Sequence, residues 1–203
     1  AAISVGASGY VRVFLPLGDT ASIVLVVLAM GAVAAWGIKE SVTAAGVMTM
    51  IEVGGLLVVI AAGLIWEPGV VTRLPEAVSG LNTSAAFVGL VGAGLLAVFA
   101  FIGFEGIVNV AEEIKDPVRV IPKAILITLA VTTLLYVAVV WVALVAIGPG
   151  PLAQSKAPLA LVFERLTGAS QRTMAGIAII ATLNGIIVQI ILGARVVYGL
   201  AEQ

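Results

Sequence analysis

The chain has 203 residues, of which 62% are hydrophobic and only 10% are charged. A soluble domain cannot bury that much apolar surface, so the composition predicts a membrane protein. The ten basic and eleven acidic residues nearly balance, which argues against a nucleic-acid partner. The absence of Cys and His from the sequence excludes disulfides, thiol and imidazole catalysis and the usual zinc ligands. We therefore expect no enzyme, no cofactor and no bound metal.

Charged residues and Gly/Pro clusters divide the sequence into six apolar segments, which we interpret as membrane helices of a single bundle over 1–203. A helix needs about 20 apolar residues to cross roughly 30 Å of hydrocarbon. The amphipathic stretch 157–167 is too short and is predicted to lie on the surface. The fold class is therefore all-α and polytopic. The predicted spans are approximately 1–15 (partial), 20–38, 42–66, 85–114, 121–147 and 173–200.

Two polar or Pro-rich stretches predict where helices end. Glu112–Pro117 reads as a solvated turn that ends the fourth span at Pro117, and the density of basic residues just after it favours the cytoplasmic side. The run 148–151, Gly-Pro-Gly-Pro, is expected to end the fifth span. Ala1 carries neither an initiator Met nor a charged leader, so we expect the chain to begin inside a longer polypeptide.

An acid lies deep in the fourth apolar segment, where Gly103 and Gly106 bracket Glu105. Gly lowers helix stability by about 1 kcal/mol relative to Ala, and an ionised side chain at membrane depth costs at least about 2.5–3.5 kcal/mol. Both effects predict a break in the helix between Phe101 and Gly106. The alternative is a straight helix in which Glu105 hydrogen-bonds a neighbouring helix and the glycines allow close packing.

Three stretches carry a resemblance to a known family. The sequences FAFIGFEG at 99–106 and AEEIKDPVRVIPKAI at 111–125 resemble helix six and the following loop of the amino acid–polyamine–organocation permease superfamily. GIKES at 37–41 is similar to the loop between helices four and five, and ARVVYGLA at 194–201 is similar to the end of helix eight. The resemblance covers nearly the whole chain and runs from helix three to helix eight.

The resemblance implies part of a five-plus-five inverted-repeat transporter fold with a broken sixth helix, whose other transmembrane helices would be partners of this segment. It implies that Phe99 is an aromatic gate above the substrate and that Glu105 responds to protonation or braces the break. It also implies that the unwound substrate-binding segment contains Phe101, Ile102, Gly103 and Phe104. The alternative for the phenylalanines is a structural one, because aromatic residues on buried helices are more often core.

Glu52 is the single charged residue between Ser41 and Ile65. Related sequences often carry Lys at this position, beside a vestigial cation site, so Glu52 departs from the family pattern in sign. A carboxyl at membrane depth is suited to gain and lose a proton, or to coordinate a cation directly. We predict that Glu52 points toward the helix that carries Asn184 and that both residues serve coupling. The alternative is a protonated Glu that serves packing alone.

Taken together, the residues and the resemblance predict a secondary transporter of amino acids or related organic amines, driven by protons or a cation or working by exchange. Its setting would be the lipid bilayer of a bacterial or archaeal plasma membrane. The alternative function is that of a truncated or split membrane fragment with a structural or regulatory role. An intramembrane enzyme is disfavoured, because no Ser lies at a plausible spacing from a base.

Overall fold

The computed structural model of the chain describes residues 2–36, 41–73, 84–101 and 114–201, which form α-helices joined by turns. This arrangement confirms the predicted all-α class. The helices are α1 (Ala2–Val11), α2 (Asp19–Trp36), α3 (Ser41–Trp66), α4 (Ser84–Ala100), α5 (Pro117–Ala146), α6 (Pro149–Gln154), α7 (Pro158–Thr167) and α8 (Gln171–Ala201).

Three stretches of helix in the described residues are long and apolar enough to cross a membrane. They are Gly46–Trp66 in α3, Pro117–Ala146 in α5 and Gln171–Ala194 in α8. Asp19–Ala32 in α2 is apolar but shorter. The chain is therefore a polytopic helical membrane protein. The stretch predicted to be a surface helix over 157–167 corresponds to α7, whose ten residues are too few to cross.

Two helices begin at prolines where the sequence predicted no helix start. Proline favours the first turn of a helix, because its missing N–H costs nothing there. α5 begins at Pro117, ahead of the predicted start near 121, and the backbone carbonyl of Asp116 accepts from the N–H groups of Arg119 and Val120. α5 ends at Ala146, close to the predicted end, but Pro149 then opens α6, which we did not predict.

The structure divides into two units, Ala1–Val70 with Val142–Gln203, and Val71–Trp141. In the first unit α8 packs against α1, α2, α3 and α7. Its core contains buried residues of α1, α2 and α8, namely Ala7, Val11, Val26 and Ile186. Gly185 of α8 lies against the side chain of Ile3 of α1. α8 is therefore the helix that organises this unit.

α7 packs across both α3 and α8. Its buried residues are Ala160, Val162 and Leu166. The helix begins with Pro158 at its first turn and ends at Gly168, whose φ of 68° is the left-handed conformation that glycine adopts readily at a helix C-terminus. These two residues fix the limits of a short helix that covers one end of the α3 and α8 pair.

The turn between α1 and α2 is tied to the segment before α7 by polar contacts. Asp19 pairs with Arg12 through one carboxylate oxygen and with Lys156, at 2.6 Å, through the other. Gly9 allows the close approach, because a Cβ at this position would lie 2.0 Å from the carbonyl oxygen of Lys156.

We predict that Gly9→Ala destabilises the protein although alanine favours helix formation by about 1 kcal/mol. The added methyl overlaps the Lys156 backbone, and overpacking of this kind costs about 1–3 kcal/mol. Gly6→Ala is the matched control, since a Cβ there meets nothing within 4 Å. Thermal unfolding of the purified variants in detergent should show a lower Tm for Gly9→Ala alone. An unchanged or raised Tm would contradict the packing.

The pairs at Asp19 should make stability depend on pH. Asp19 is exposed and lies outside the predicted span 20–38, and the hydrogen bond from Lys156 lowers the pKa of its carboxyl, with Arg12 adding to the effect. A lowered pKa means that the stabilisation is complete above the unfolded value of about 4 and is lost as pH falls through the folded value. Asp19→Asn should therefore reduce Tm at pH 7, and the deficit should shrink as pH falls below about 4 toward the lowered pKa of the folded state. A deficit independent of pH would contradict this assignment.

Candidate functional site

The side chains of Glu52 in α3 and Asn184 in α8 meet within the first unit. The amide nitrogen of Asn184 donates a hydrogen bond of 3.0 Å to a carboxyl oxygen of Glu52. Both side chains are half-buried. This contact agrees with the direction that the sequence predicted for Glu52, whereas its coupling role stays a prediction.

Both residues lie well inside helices long enough to span a membrane. Glu52 is about 16 Å along the helix axis from Ser41 and about 21 Å from Trp66, at 1.5 Å per residue. Asn184 lies about 20 Å from Gln171 and about 15 Å from Ala194 by the same measure. An ionised carboxyl at membrane depth is costly, so a side-chain partner matters for its free energy.

Packing residues of α3 and α8 hold Glu52 and Asn184 in place. Glu52, Gly55 and Val59 lie three and four residues apart, which puts them on one face of α3. Val59 is fully buried, and Gly55 lies against Ile177 of α8. Sequence reasoning missed Gly55 and Ile177. The sequence signal that could have found Gly55 is the Gly54-Gly55 pair one turn after Glu52. Gly55, three residues after Glu52, lies on the same face of the helix.

The predicted substrate segment is described in part. α4 ends at Ala100, and the N–H of Phe101 donates to the carbonyl of Val98, three residues back rather than four. The described stretch 84–101 ends at Phe101, so the predicted break between Phe101 and Gly106 lies outside the described residues and stays a prediction. Phe99 belongs to α4, but its side chain lies outside the described residues, as do Ile102, Gly103, Phe104 and Glu105.

The ring of Phe101 packs edge-on against the ring of Tyr136 of α5, with centroids 5.6 Å apart and an interplanar angle of 63°. Edge-to-face geometry is favourable for aromatic pairs beyond the area that they bury. Tyr136 was not predicted as a partner, because no sequence pattern links α4 to α5 across that distance. Phe101 therefore has a packing contact in the second unit, and its predicted role toward substrate stays a prediction.

The chemistry that the Glu52 and Asn184 pair can perform is proton exchange at a carboxyl held by an amide. Asn184 presents an N–H donor to Glu52, which suits a carboxylate acceptor, and its carbonyl oxygen can accept from a protonated carboxyl after rotation of the amide. In the part of the chain that the structure describes, no group of three or more acidic residues could hold a metal ion.

Comparison with known proteins defines the class and then the family. The chain is a multi-pass helical membrane protein, and the family model described as "Amino acid permease" matches residues 4–203. The chain belongs to this family, within the amino acid–polyamine–organocation superfamily. The resemblance predicted from the motifs is thus confirmed. The family and its named members are permeases and transporters rather than enzymes.

Three relatives show the range of the family. The chain is 30% identical to a branched-chain amino acid permease of Bacillus subtilis over 91% of this chain and 42% of that protein. It is 30% identical to a methylthioribose transporter of the same organism, over 80% of this chain and 33% of that protein. It is 36% identical to a chloroplastic cationic amino acid transporter of Arabidopsis thaliana, over 74% and 25% respectively. The chain spans less than half the length of these relatives, and no solved structure matches it significantly.

We predict that Asn184→Ala loses the hydrogen bond to Glu52 and, with it, stability. Hydrogen bonds between membrane helices contribute roughly 0.6–1.7 kcal/mol. A double-mutant cycle with Glu52→Ala isolates the pair, because the second substitution should cost less once the first has been made. Reversible unfolding in mixed detergent micelles measures the four free energies.

Thr182→Val is the control for that cycle, since the Thr182 hydroxyl bonds the carbonyls of Ala178 and Ile179 within α8. Its effect should add to that of Glu52→Ala without coupling. Strict additivity between the Asn184 and Glu52 variants would show that the two side chains do not interact.

Proposed function

We propose that this chain is part of a secondary active transporter of amino acids or related organic amines, which works by alternating access around a site near the membrane midplane. The observation that carries the proposal is the hydrogen bond between Glu52 and Asn184, which joins two spanning helices at membrane depth. A structural helix pair gains little from a carboxyl at that position, because ionised groups there are costly.

The names of the relatives support the substrate class. They include a branched-chain amino acid permease, a cationic amino acid transporter and a methylthioribose transporter. Two of the three names refer to amino acids, so amino acids are the first substrates to test. Because this chain covers less than half of each relative, the choice among them rests on the full-length protein.

The proton is the proposed coupling ion. Asn184 presents an amide N–H to Glu52, and this donor suits a carboxyl that gains and loses a proton. Protonation would give the Glu52 carboxyl an O–H donor, which could bond the carbonyl oxygen of Asn184 once the amide rotates. This rearrangement would let a proton change how two spanning helices interact.

The substrate would be held where α4 gives way to the Gly-flanked segment after Ala100. In this proposal Phe99 and Phe101 flank the bound molecule, and backbone groups of Ile102, Gly103 and Phe104 bind its amino group. Glu105 would brace the break or respond to protonation. The support is the end of α-helical bonding at Ala100 together with the motif at 99–106.

We predict that Glu52→Gln in the full-length protein keeps substrate binding within about twofold but abolishes the response of uptake to pH. Glutamine preserves the shape and can still hydrogen-bond Asn184, whereas it cannot exchange a proton. Binding is measured by ligand-induced thermal stabilisation, and uptake is measured in proteoliposomes across a range of external pH. The expected curve for Glu52→Gln is flat.

Glu164→Gln is the matched control, because it makes the same chemical change at an exposed acid of α7 that Gln171 bonds. It should leave the pH profile unaltered. A Glu52→Gln profile identical to that of the wild type would refute proton coupling through Glu52.

A further inference from the structure

α3 carries two consecutive glycines, and they differ sharply in what surrounds them. A Cβ built on Gly55 would lie 2.6 Å from the Cγ2 atom of Ile177 in α8, whereas a Cβ on Gly54 would meet nothing within 4 Å. Contacts below 3.0 Å are not tolerated by carbon atoms, and ordinary contact begins at 3.4 Å. α3 and α8 are thus as close at Gly55 as the side chain of Ile177 permits.

This close contact lies beside the polar pair. Gly55 is one helical turn from Glu52 on α3, and Ile177 is two turns from Asn184 on α8. The two contacts therefore involve the same pair of helices and are governed by the same separation between their axes. Val59, one turn further along α3, is fully buried and continues this face.

The distances show how sensitive the hydrogen bond is to this separation. A methyl at position 55 needs at least the difference between 3.4 and 2.6 Å, about 0.8 Å, of additional room. The same displacement added to the 3.0 Å hydrogen bond gives about 3.8 Å, beyond the 3.5 Å at which a side-chain hydrogen bond is lost. Ile177 cannot easily swing aside, because β-branched side chains in helices have one strongly preferred rotamer.

We propose that Gly55 and Ile177 are positioning residues, which act through Glu52 by setting the distance between its carboxyl and the Asn184 amide and so tune the pH at which transport is coupled. This inference rests on the proposed function. Gly55 allows α3 and α8 to approach closely because it has no side chain. The Cγ2 methyl of Ile177 is the spacer between the two helices.

Other ionisable groups on the helices that pack against α3 lie far from the pair along their own helices. Arg172 is about 18 Å from Asn184 along α8, and Arg195 is about 16 Å away in the other direction. The ionisable groups of α7 are Glu164 and Arg165, on a helix that covers one end of α3. Glu164 accepts a hydrogen bond from Gln171. The ionisable groups in question are Glu164, Arg165, Arg172, Arg195 and Tyr198.

The test compares pH profiles of amino acid uptake for Gly55→Ala, Gly54→Ala, Ile177→Ala and the double variant Gly55→Ala/Ile177→Ala, all in the full-length protein in proteoliposomes. Loss of one interhelical hydrogen bond corresponds to a midpoint shift of roughly 0.4–1.2 pH units. Gly55→Ala should shift the midpoint because it separates the helices, and Ile177→Ala should shift it in the opposite direction because loss of the spacer lets them approach, while the KM at the optimal pH stays within about twofold. Gly54→Ala should leave both unchanged.

The double variant moves a methyl from one side of the contact to the other, so it should return the midpoint toward that of the wild type. If Gly55→Ala does not accumulate as folded protein, Ile177→Ala decides the question alone, because it removes the spacer without adding bulk. A midpoint equal to that of the wild type for Ile177→Ala, or for Gly55→Ala when that protein folds, would overturn the inference.

Failure of this inference can be told apart from failure of the proposed function. If Glu52→Gln keeps its response to pH, proton coupling through Glu52 is wrong and the positioning role fails with it. If Glu52→Gln loses that response but the variants at Gly55 and Ile177 have the wild-type midpoint, coupling stands and the positioning role alone is wrong.

Discussion

A carboxyl placed in the interior of a membrane helix must be protonated or must find a polar partner, because the bilayer supplies none. In this protein that constraint acts at Glu52, and the amide of Asn184 meets it across the interface of α3 and α8. Much of the first unit follows from bringing these two helices together. Gly55 has no side chain to separate them, and the buried Val59 continues the same face of α3.

α8 is the second organising element, since α1, α2, α3 and α7 all pack against it. At one end of this unit a short loop before α7 is tied to the α1–α2 turn through Asp19 and Lys156, and Gly9 admits the backbone of that loop. Apolar packing dominates within the helices, and ionic contacts occur at their ends. A polar contact at depth is therefore conspicuous, and that contrast favours a functional role for Glu52 over a packing role.

The sequence predicted the all-α polytopic class because long uncharged segments have few other physical solutions, and the motifs predicted the family. It also predicted which helix Glu52 faces. It missed α6, because we read Pro149 as a terminator when proline equally begins helices. It missed the contact of Gly55 with Ile177 and the pairing of Phe101 with Tyr136, since side-chain contacts between distant helices depend on rotation and axial offset, which hydropathy does not encode.

We propose that a proton taken up within the membrane drives an amino acid through the full-length protein. The most direct test reconstitutes the full-length protein in liposomes and follows labelled amino acid and internal pH together under an imposed inward proton gradient. Proton coupling predicts uphill accumulation of substrate, entry of protons that depends on substrate, and collapse of both with a protonophore. Accumulation of equal size without the gradient, with no proton entry linked to substrate, would contradict it.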